Sequence, residues 1–249
     1  MQITPIPAFG DNYIWLIQTT QGNICIDPGD ATPVIEFLQQ QRQNLHQIWI
    51  THHHDDHRGG VAALKLAFPQ VEVYGNSDIP EADCPIRDGM QLTFGQLAAE
   101  VWLTPGHTAH HICYLLAHQN RLHVFCGDTL FSAGCGRVFT GTIQQLFDSF
   151  QRFKQLPDDT LFYPAHEYTA ANLRFAAHIE PDNPDIQAAL SGATHTPTLP
   201  VTLEHERRIN PFLRTHLPHI RQRVETLSGI ELGDELSVFA ALRTLKNSF

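Results

Sequence analysis

The sequence lacks several features that would place it in a special class of protein. No stretch approaches the roughly 18 uninterrupted apolar residues of a membrane span, and the first residues show no basic segment before an apolar run, so we expect neither a membrane anchor nor a secretory signal. Lys and Arg number 16 against 26 Asp and Glu, and the formal net charge of −10 argues against a nucleic-acid partner. The five cysteines are scattered without a CxxC motif, which is typical of reduced thiols, and we predict a cytoplasmic protein.

The order of apolar patterns predicts an α+β protein with two regions. Strand-like and helix-like segments are mixed up to residue 169, whereas Pro-rich joints separate helix-like segments from 170 to 249, so we place a domain boundary there. The predicted strands are 12–18, 23–26, 46–51, 71–75, 90–94, 99–104, 112–117, 121–126 and 160–165. The predicted helices are 31–44, 61–68, 141–156, 170–179, 184–190, 216–227 and 234–247.

Histidine is the residue type in excess, with 16 in 249 residues. It is also the commonest metal ligand. The segment THHHDDH at 51–57 follows a predicted buried strand and precedes a helix. In extended backbone His52 and His54 point the same way, whereas Asp56 and His57 lie where the chain turns into the helix. Four donors in one loop predict a site for two metal ions, with a polar surface loop as the alternative.

Two metal ions need more ligands than this loop supplies, because each ion takes four or five donors. Three further candidates each follow the end of a predicted strand: His107 after TPG, Asp128 after CG and His166 after YPA. Any one of them alone reads as a cap or turn residue. The same placement three times over favours metal ligands.

These motifs together resemble a known family. THHHDDH, TPGHT, CGDTLF and the histidine of AHEYT, in this order, are similar to the signature of the metallo-β-lactamase superfamily. The segments GDTLFSAGCGR, HEYTAANLRFA, INPFLR and ALRTLKNSF narrow the resemblance to the glyoxalase II, or hydroxyacylglutathione hydrolase, family from about residue 3 onwards. The resemblance implies an αββα sandwich, formed by a catalytic domain at 1–169, and a C-terminal α-helical domain at 170–249 that binds glutathione.

The resemblance also implies the ligands of each metal ion. One ion would be bound by His52, His54 and His107, the second by Asp56, His57 and His166, and Asp128 would bridge them. His53 and Asp55 fill non-ligand positions. The cofactors are then two divalent ions, zinc first, with iron and manganese as alternatives, because all three accept His and Asp ligands. The expected nucleophile is a hydroxide on these ions, with Asp56 and Asp128 as the carboxylates of the centre.

Residues that bind the substrate follow from the resemblance as well. Arg137, Tyr168, Arg243 and Lys246 match positions that contact glutathione, although the pattern alone would make Arg243 and Lys246 a solvated helix face. Two positions depart from the family: Phe139 stands where animal members have Tyr, and His110 replaces the usual Gly. Asp27 ends a strand beside the metal loop, and we expect it to accept the second N–H of a ligand histidine, with turn capping as the alternative.

The expected function is therefore a binuclear-metal thioesterase. It would hydrolyse S-(2-hydroxyacyl)glutathione, chiefly S-D-lactoylglutathione, to glutathione and D-lactate in methylglyoxal detoxification, acting as a monomer with no nucleic acid or membrane partner. The alternatives within the superfamily are a hydrolase of another thioester or ester, or a persulfide dioxygenase with a single iron, which the complete second ligand set argues against. The alternatives outside enzymes are a metal-binding scaffold and a binding module for glutathione conjugates.

Overall fold

The computed structural model describes residues 1–249 and divides into two compact units. The first unit comprises Met1–Thr104 and His110–Gly127, and the second comprises Pro105–Ala109 and Asp128–Phe249. The boundary predicted after residue 169 does not coincide with the division into these units, and the two predicted domains stay a prediction.

The first unit holds ten strands and three helices. The strands are β1 (Gln2–Ala8), β2 (Asn12–Thr19), β3 (Gly22–Ile26), β4 (Gln47–Trp49), β5 (Glu72–Gly75), β6 (Cys84–Pro85), β7 (Gln91–Phe94), β8 (Leu97–Leu103), β9 (Ile112–His118) and β10 (Arg121–Gly127). The helices are α1 (Thr32–Gln41), α2 (Asp55–Arg58) and α3 (Val61–Ala67).

One mixed sheet has the strand order β1-β2-β3-β4-β5-β6. The predicted hairpin is confirmed, because β2 pairs antiparallel with β3 from Trp15 opposite Ile26 to Thr19 opposite Gly22. The predicted parallel pair is confirmed as well, with β3 beside β4. Strand β1 was not predicted, since its sequence QITPIPA contains two prolines; it lies at the edge of the sheet, where proline is tolerated.

Strand β4 is buried on both of its faces, which explains its uninterrupted apolar run. On one face Ile48 packs in a cluster with Val34 and Leu38 of α1. On the other face Trp49 stacks on Tyr114 of the antiparallel meander β7-β8-β9-β10, with ring centroids 5.0 Å apart. The Tyr114 hydroxyl donates to the Ile50 carbonyl at 2.8 Å. The packing of β4 therefore fixes the position of the backbone from which the loop at residues 51–57 begins.

The second unit is mainly helical. It holds β11 (Leu130–Phe131), β12 (Gly134–Cys135), β13 (Leu161–Pro164), β14 (Val201–Thr202), and a 3-10 helix at Pro211–Leu213. Its helices are α4 (Ile143–Phe153), α5 (Thr169–Ile179), α6 (Pro184–Gly192), α7 (Leu203–Ile209), α8 (Pro218–Ser228) and α9 (Glu235–Ser248). Helix α7, the hairpin β11-β12 and the short β14 were not predicted. The longest helix has 14 residues, and none has the length and apolar character of a membrane span.

Aromatic side chains form the core of the second unit. Helix α4 begins with a capping box between Thr142 and Gln145 and buries the apolar face that its spacing predicted. Phe150 of α4 contacts Phe239 of α9 edge to face at 5.3 Å, and Phe239 contacts Phe212 at 5.2 Å. The last helix is thereby fixed to the body of the unit, and with it the basic residues near the C-terminus.

Candidate functional site

The loop after β4 brings its four predicted ligands together. His52 and His57 are fully buried, and His54 and Asp56 are half-buried. His52 Nε2 lies 3.0 Å from His54 Nδ1, and Asp56 Oδ2 lies 3.7 Å from His57 Nε2. A ligand atom of His52 is also within 4.8 Å of one of His57. Two ligands of a tetrahedral zinc ion are roughly 3.3 Å apart, so these separations suit a shared metal ion.

Asp27 fixes the tautomers of two of these histidines. Its Oδ2 accepts from His57 Nδ1 at 3.0 Å and from the Thr51 hydroxyl at 2.7 Å, while Oδ1 accepts from the Thr51 backbone N–H at 2.7 Å. Because the Thr51 hydroxyl donates to Asp27, it accepts from His52 Nδ1 at 3.0 Å. Both imidazoles carry their proton on Nδ1, so Nε2 is the nitrogen of each ring that can accept a metal ion. Asp27 has φ +53, a conformation that Asp adopts more readily than most residues.

Asp56 is supported from two other parts of the first unit. Asn12, at the start of β2, is buried and donates through Nδ2 to Asp56 Oδ2 at 3.3 Å. Gly29 passes so close to the Asp56 carbonyl that a Cβ at position 29 would lie 1.9 Å from its oxygen. Sequence reasoning missed both residues, since neither a buried amide nor a close backbone approach leaves a motif.

The two non-ligand residues of the loop have partners outside the ligand group. His53 Nδ1 pairs with Asp78 Oδ2 at 2.9 Å. Arg58 donates to the His53 carbonyl at 2.7 Å, to Asp55 at 2.8 Å and to Glu81 at 2.5 Å. These bonds attach the loop to Asp78 and Glu81, and they engage the side chains of His53 and Asp55, for which the resemblance implies non-ligand positions.

A buried histidine lies behind His52. The His111 ring stacks on His52 with centroids 4.9 Å apart, and His111 Nδ1 is 3.1 Å from Thr104 Oγ1. Sequence reasoning did not assign His111 a role. Its neighbour His110, the departure from the family's Gly, is exposed, and its carbonyl accepts from Asn76 at 3.0 Å. The larger side chain at 110 therefore points away from the packed interior.

In the second unit, Asp128 lies between two predicted ligand histidines. Its Oδ2 is 3.5 Å from His107 Nε2, and its Oδ1 is 3.5 Å from His166 Nε2. All three residues are buried. Each oxygen of one carboxylate thus faces a different imidazole, at the separation expected of ligands to a metal ion. A carboxylate in this position can bind a metal ion held by either histidine.

The loop that carries His107 is bound to the segment after β12. His107 Nδ1 donates to the Arg137 carbonyl at 2.8 Å, and the Phe139 N–H donates to the His107 carbonyl at 3.0 Å. The Phe139 ring contacts the His107 ring edge to face at 5.2 Å, and Phe139 is 60% exposed. His107 therefore also has its proton on Nδ1, and Phe139 stands at the surface beside it.

The rings of Tyr168 and Phe131 form an aromatic wall beside His166. Tyr168 stacks on the His166 ring with centroids 4.7 Å apart and planes 10° apart. Phe131 contacts both rings edge to face, at 5.9 Å to His166 and 5.0 Å to Tyr168. The predicted substrate residue Tyr168 is therefore packed directly against a predicted ligand.

Basic side chains gather in the same unit. Arg243 is buried, and its Nη1 donates to the Cys135 carbonyl at 2.8 Å while Nε donates to Asn247 at 3.1 Å, which leaves Nη2 for a further acceptor. Burial lowers the pKa of Lys246, and the charges of Arg243, Arg174 and Arg137 lower it further. The three predicted cations Arg137, Arg243 and Lys246 thus belong to one cluster, to which the structure adds Arg174.

Two family profiles match the chain. The profile of the metallo-beta-lactamase superfamily matches residues 8–83 and 83–166. The profile described as the hydroxyacylglutathione hydrolase C-terminus matches residues 167–249. Together they cover the chain almost completely.

Individual relatives agree with the profiles. A curated protein of Neisseria meningitidis serogroup C named hydroxyacylglutathione hydrolase is 62% identical over 249 residues, which is 100% of this chain and 99% of that protein. Among solved structures, ETHE1 from Myxococcus xanthus has a TM-score of 0.67 at 27% identity and covers 100% of this chain and 99% of its own. TTHA1623, solved in a di-iron-bound form, has a TM-score of 0.60 at 25% identity, over 86% of this chain and 100% of its own. The predicted α+β fold class, a metallo-β-lactamase-type sandwich with a C-terminal helical part, is confirmed.

Proposed function

Because the chain belongs to the hydroxyacylglutathione hydrolase, or glyoxalase II, family of the metallo-β-lactamase superfamily, we propose that it hydrolyses S-(2-hydroxyacyl)glutathione thioesters. The preferred substrate is S-D-lactoylglutathione, and the products are glutathione and D-lactate. The observation that carries the proposal lies in the second unit, where the loop of a predicted ligand is bonded to the segment of a predicted substrate cation: His107 Nδ1 donates to the Arg137 carbonyl.

The residues fit a pair of divalent ions. His52, His54 and His107 would hold one, Asp56, His57 and His166 the other, and Asp128 both. Asp27 and the Arg137 carbonyl support this assignment, because they keep the protons of His57 and His107 on Nδ1. When bound, such ions lower the pKa of water and polarise a carbonyl oxygen. We propose zinc first; the di-iron form of TTHA1623 supports iron as an alternative.

The remaining chemistry belongs to the chain's own residues. Glutathione carries two carboxylates, and the chain charge of −10 repels them at long range, so a local cationic cluster is needed. Arg137, Arg243 and Lys246 supply it, and the exposed Arg174 adds to it. The rings of Tyr168 and Phe131 limit access of bulk water to His166. The thiol of glutathione has an ordinary pKa near 8.5, so it leaves as a thiolate without a strong general acid.

A dioxygenase that uses a single iron is a weaker alternative. Such a site needs only two histidines and one carboxylate. Here Asp56 and His57 are both present and are oriented by Asn12 and Asp27. A full second ligand set with its own supporting bonds favours two metal ions. The monomeric state, the cytoplasmic location and the role in methylglyoxal detoxification stay predictions.

The test is hydrolysis of S-D-lactoylglutathione by purified protein, with metal content determined on the same sample. Turnover with about two metal ions per chain, and loss of turnover in Asp128→Ala, is expected. Asp148→Ala, which removes an exposed carboxylate from α4, is the matched control and keeps full activity. A protein with two metal ions that leaves this thioester intact would refute the substrate assignment while keeping the metal centre.

A further inference from the structure

A completely buried acid in the second unit has no part in the chemistry described above. Glu206 lies on α7 and is 0% exposed. Its Oε1 accepts from the Ser132 hydroxyl at 2.8 Å, and its Oε2 accepts from the Ala133 N–H at 2.9 Å and from Asn210 Nδ2 at 2.9 Å. Burying a carboxylate is costly, so three donors gathered on it indicate a specific purpose.

Two of the residues bonded to Glu206, Ser132 and Ala133, form the two-residue turn between β11 and β12. In this hairpin Phe131 pairs with Gly134, and Ser132 and Ala133 lie between them. Ala133 has φ +56, a conformation that favours glycine and persists in other residues only when their surroundings impose it. The bond from the Ala133 N–H to Glu206 supplies that constraint.

The other backbone groups of the turn are also bonded to side chains from behind. Asn210 Nδ2 lies 3.0 Å from the Gly134 carbonyl, and Asn172 Nδ2 donates to the Ser132 carbonyl at 3.0 Å. All of these groups are buried. The conformation of the turn is therefore set by Glu206 and two asparagines rather than by its own sequence.

This turn connects two parts of the proposed substrate site. On one side, Phe131 contacts the rings of His166 and Tyr168. On the other, the carbonyls of Cys135 and Gly136 accept from Arg243 at 2.8 and 3.4 Å. A shift of the turn moves both the aromatic wall and the acceptors that orient the guanidinium.

We propose that Glu206 is a positioning residue for substrate binding, which acts by holding the β11-β12 turn so that Phe131 and Arg243 face the glutathione thioester. The proposal rests on the proposed function for its substrate. Glu206 itself touches no substrate atom, and its effect passes through Ser132 and Ala133.

The experiment compares KM and kcat of metal-loaded variants with S-D-lactoylglutathione. Glu206→Ala should raise KM about tenfold with kcat within about threefold, because it leaves buried donors unpaired in the turn that positions Phe131. Glu206→Gln should stay within about twofold of the parent protein, since its carbonyl accepts from Ala133 and its amide donates to the Ser132 hydroxyl. Glu204→Ala, which removes an exposed acid from the same helix, is the matched control and should change neither constant.

Several results would overturn the proposal. An unchanged KM in Glu206→Ala, a loss of kcat alone, or a Gln variant no better than the Ala variant would each contradict a positioning role in substrate binding. If Glu206→Ala does not fold, Ser132→Ala removes one donor and should raise KM about threefold; an unchanged KM there refutes the idea. If the parent protein lacks thioesterase activity, the proposed function fails, and the positioning role is then decided by calorimetric binding of glutathione to the parent and Glu206→Ala. Weaker binding by the variant supports the role, and equal binding overturns it.

Discussion

The replacement of Glu206 by Gln should have little effect on stability below pH 4.5, stabilise the protein increasingly from pH 4.5 to 7, and have its full effect above pH 7. Burial raises the pKa of the Glu206 carboxyl from its ordinary value of 4.5 to about 7, against the opposing effect of its hydrogen bonds. Between these values the folded protein keeps a proton that the unfolded chain has lost. The stabilisation by this proton is complete below pH 4.5 and disappears as the pH rises through 7.

The magnitude follows from the pKa difference of 7 − 4.5 = 2.5. At about 1.4 kcal/mol per unit, the parent protein loses roughly 3 kcal/mol of folding free energy between pH 4.5 and pH 8. Glutamine cannot ionise, so Glu206→Gln avoids this loss while it keeps the bonds to Ser132 and Ala133.

Urea unfolding of the parent and Glu206→Gln, at matched metal content between pH 5 and 8, measures this difference. Subtracting the two free energies removes the contribution of the other titrating groups, which both proteins share. The difference should grow with pH in favour of the variant and level off between pH 7 and pH 8. A constant difference over this range, or a variant less stable than its parent at pH 8, would refute the reasoning.

Three further substitutions test predicted site residues in each unit. Asp27→Asn should lower metal affinity roughly 10- to 100-fold in competition with a chelator, because Asp27 orients His57 and Thr51, and an unchanged affinity would remove this role. Gly29→Ala should abolish metal binding, since its Cβ would overlap the Asp56 carbonyl, whereas Gly10→Ala has no atom within 4 Å and should behave as the parent in metal analysis and thermal unfolding. Normal metal content in Gly29→Ala would contradict the observed close approach. Phe139→Tyr places a hydroxyl at an exposed ring beside His107 and should lower KM about two- to tenfold; an unchanged KM would mean that this hydroxyl does not reach the substrate.

The strands and the first helices could be predicted because their patterns are local. Alternation and apolar runs predicted the hairpin β2-β3 and the meander β7-β8-β9-β10, and the spacing of phenylalanines predicted α4. Helix α7 was missed because LEHERRI has charges on several faces and lies among prolines. Its identity as a helix depends on Leu203 and Ile209, which are buried only in the folded unit.

The candidate ligands carry a sequence signal, whereas their supports do not. A cluster of histidines in one loop is rare enough to indicate metal binding. Nothing in the sequence distinguishes Glu206, which is fully buried, from Glu204, which is exposed two residues earlier. The sequence pattern alone predicted that Arg243 is exposed to solvent, and only tertiary packing buries it against the carbonyl of Cys135. Long-range hydrogen bonds depend on three-dimensional proximity, which the spacing of residues along the chain does not encode.

The seven residues 51–57 supply four predicted ligands, yet the conformation of this loop is specified elsewhere in the first unit. Asp27 sets two imidazole tautomers, Asn12 bonds to the Asp56 carboxylate, and Gly29 leaves room for the backbone behind it. Transplanting the loop into an unrelated scaffold would transfer the donor atoms without their orientation. A working graft would have to include the start of β2 and the segment after β3 as well, so the smallest portable form of this ligand group is a set of three separate segments.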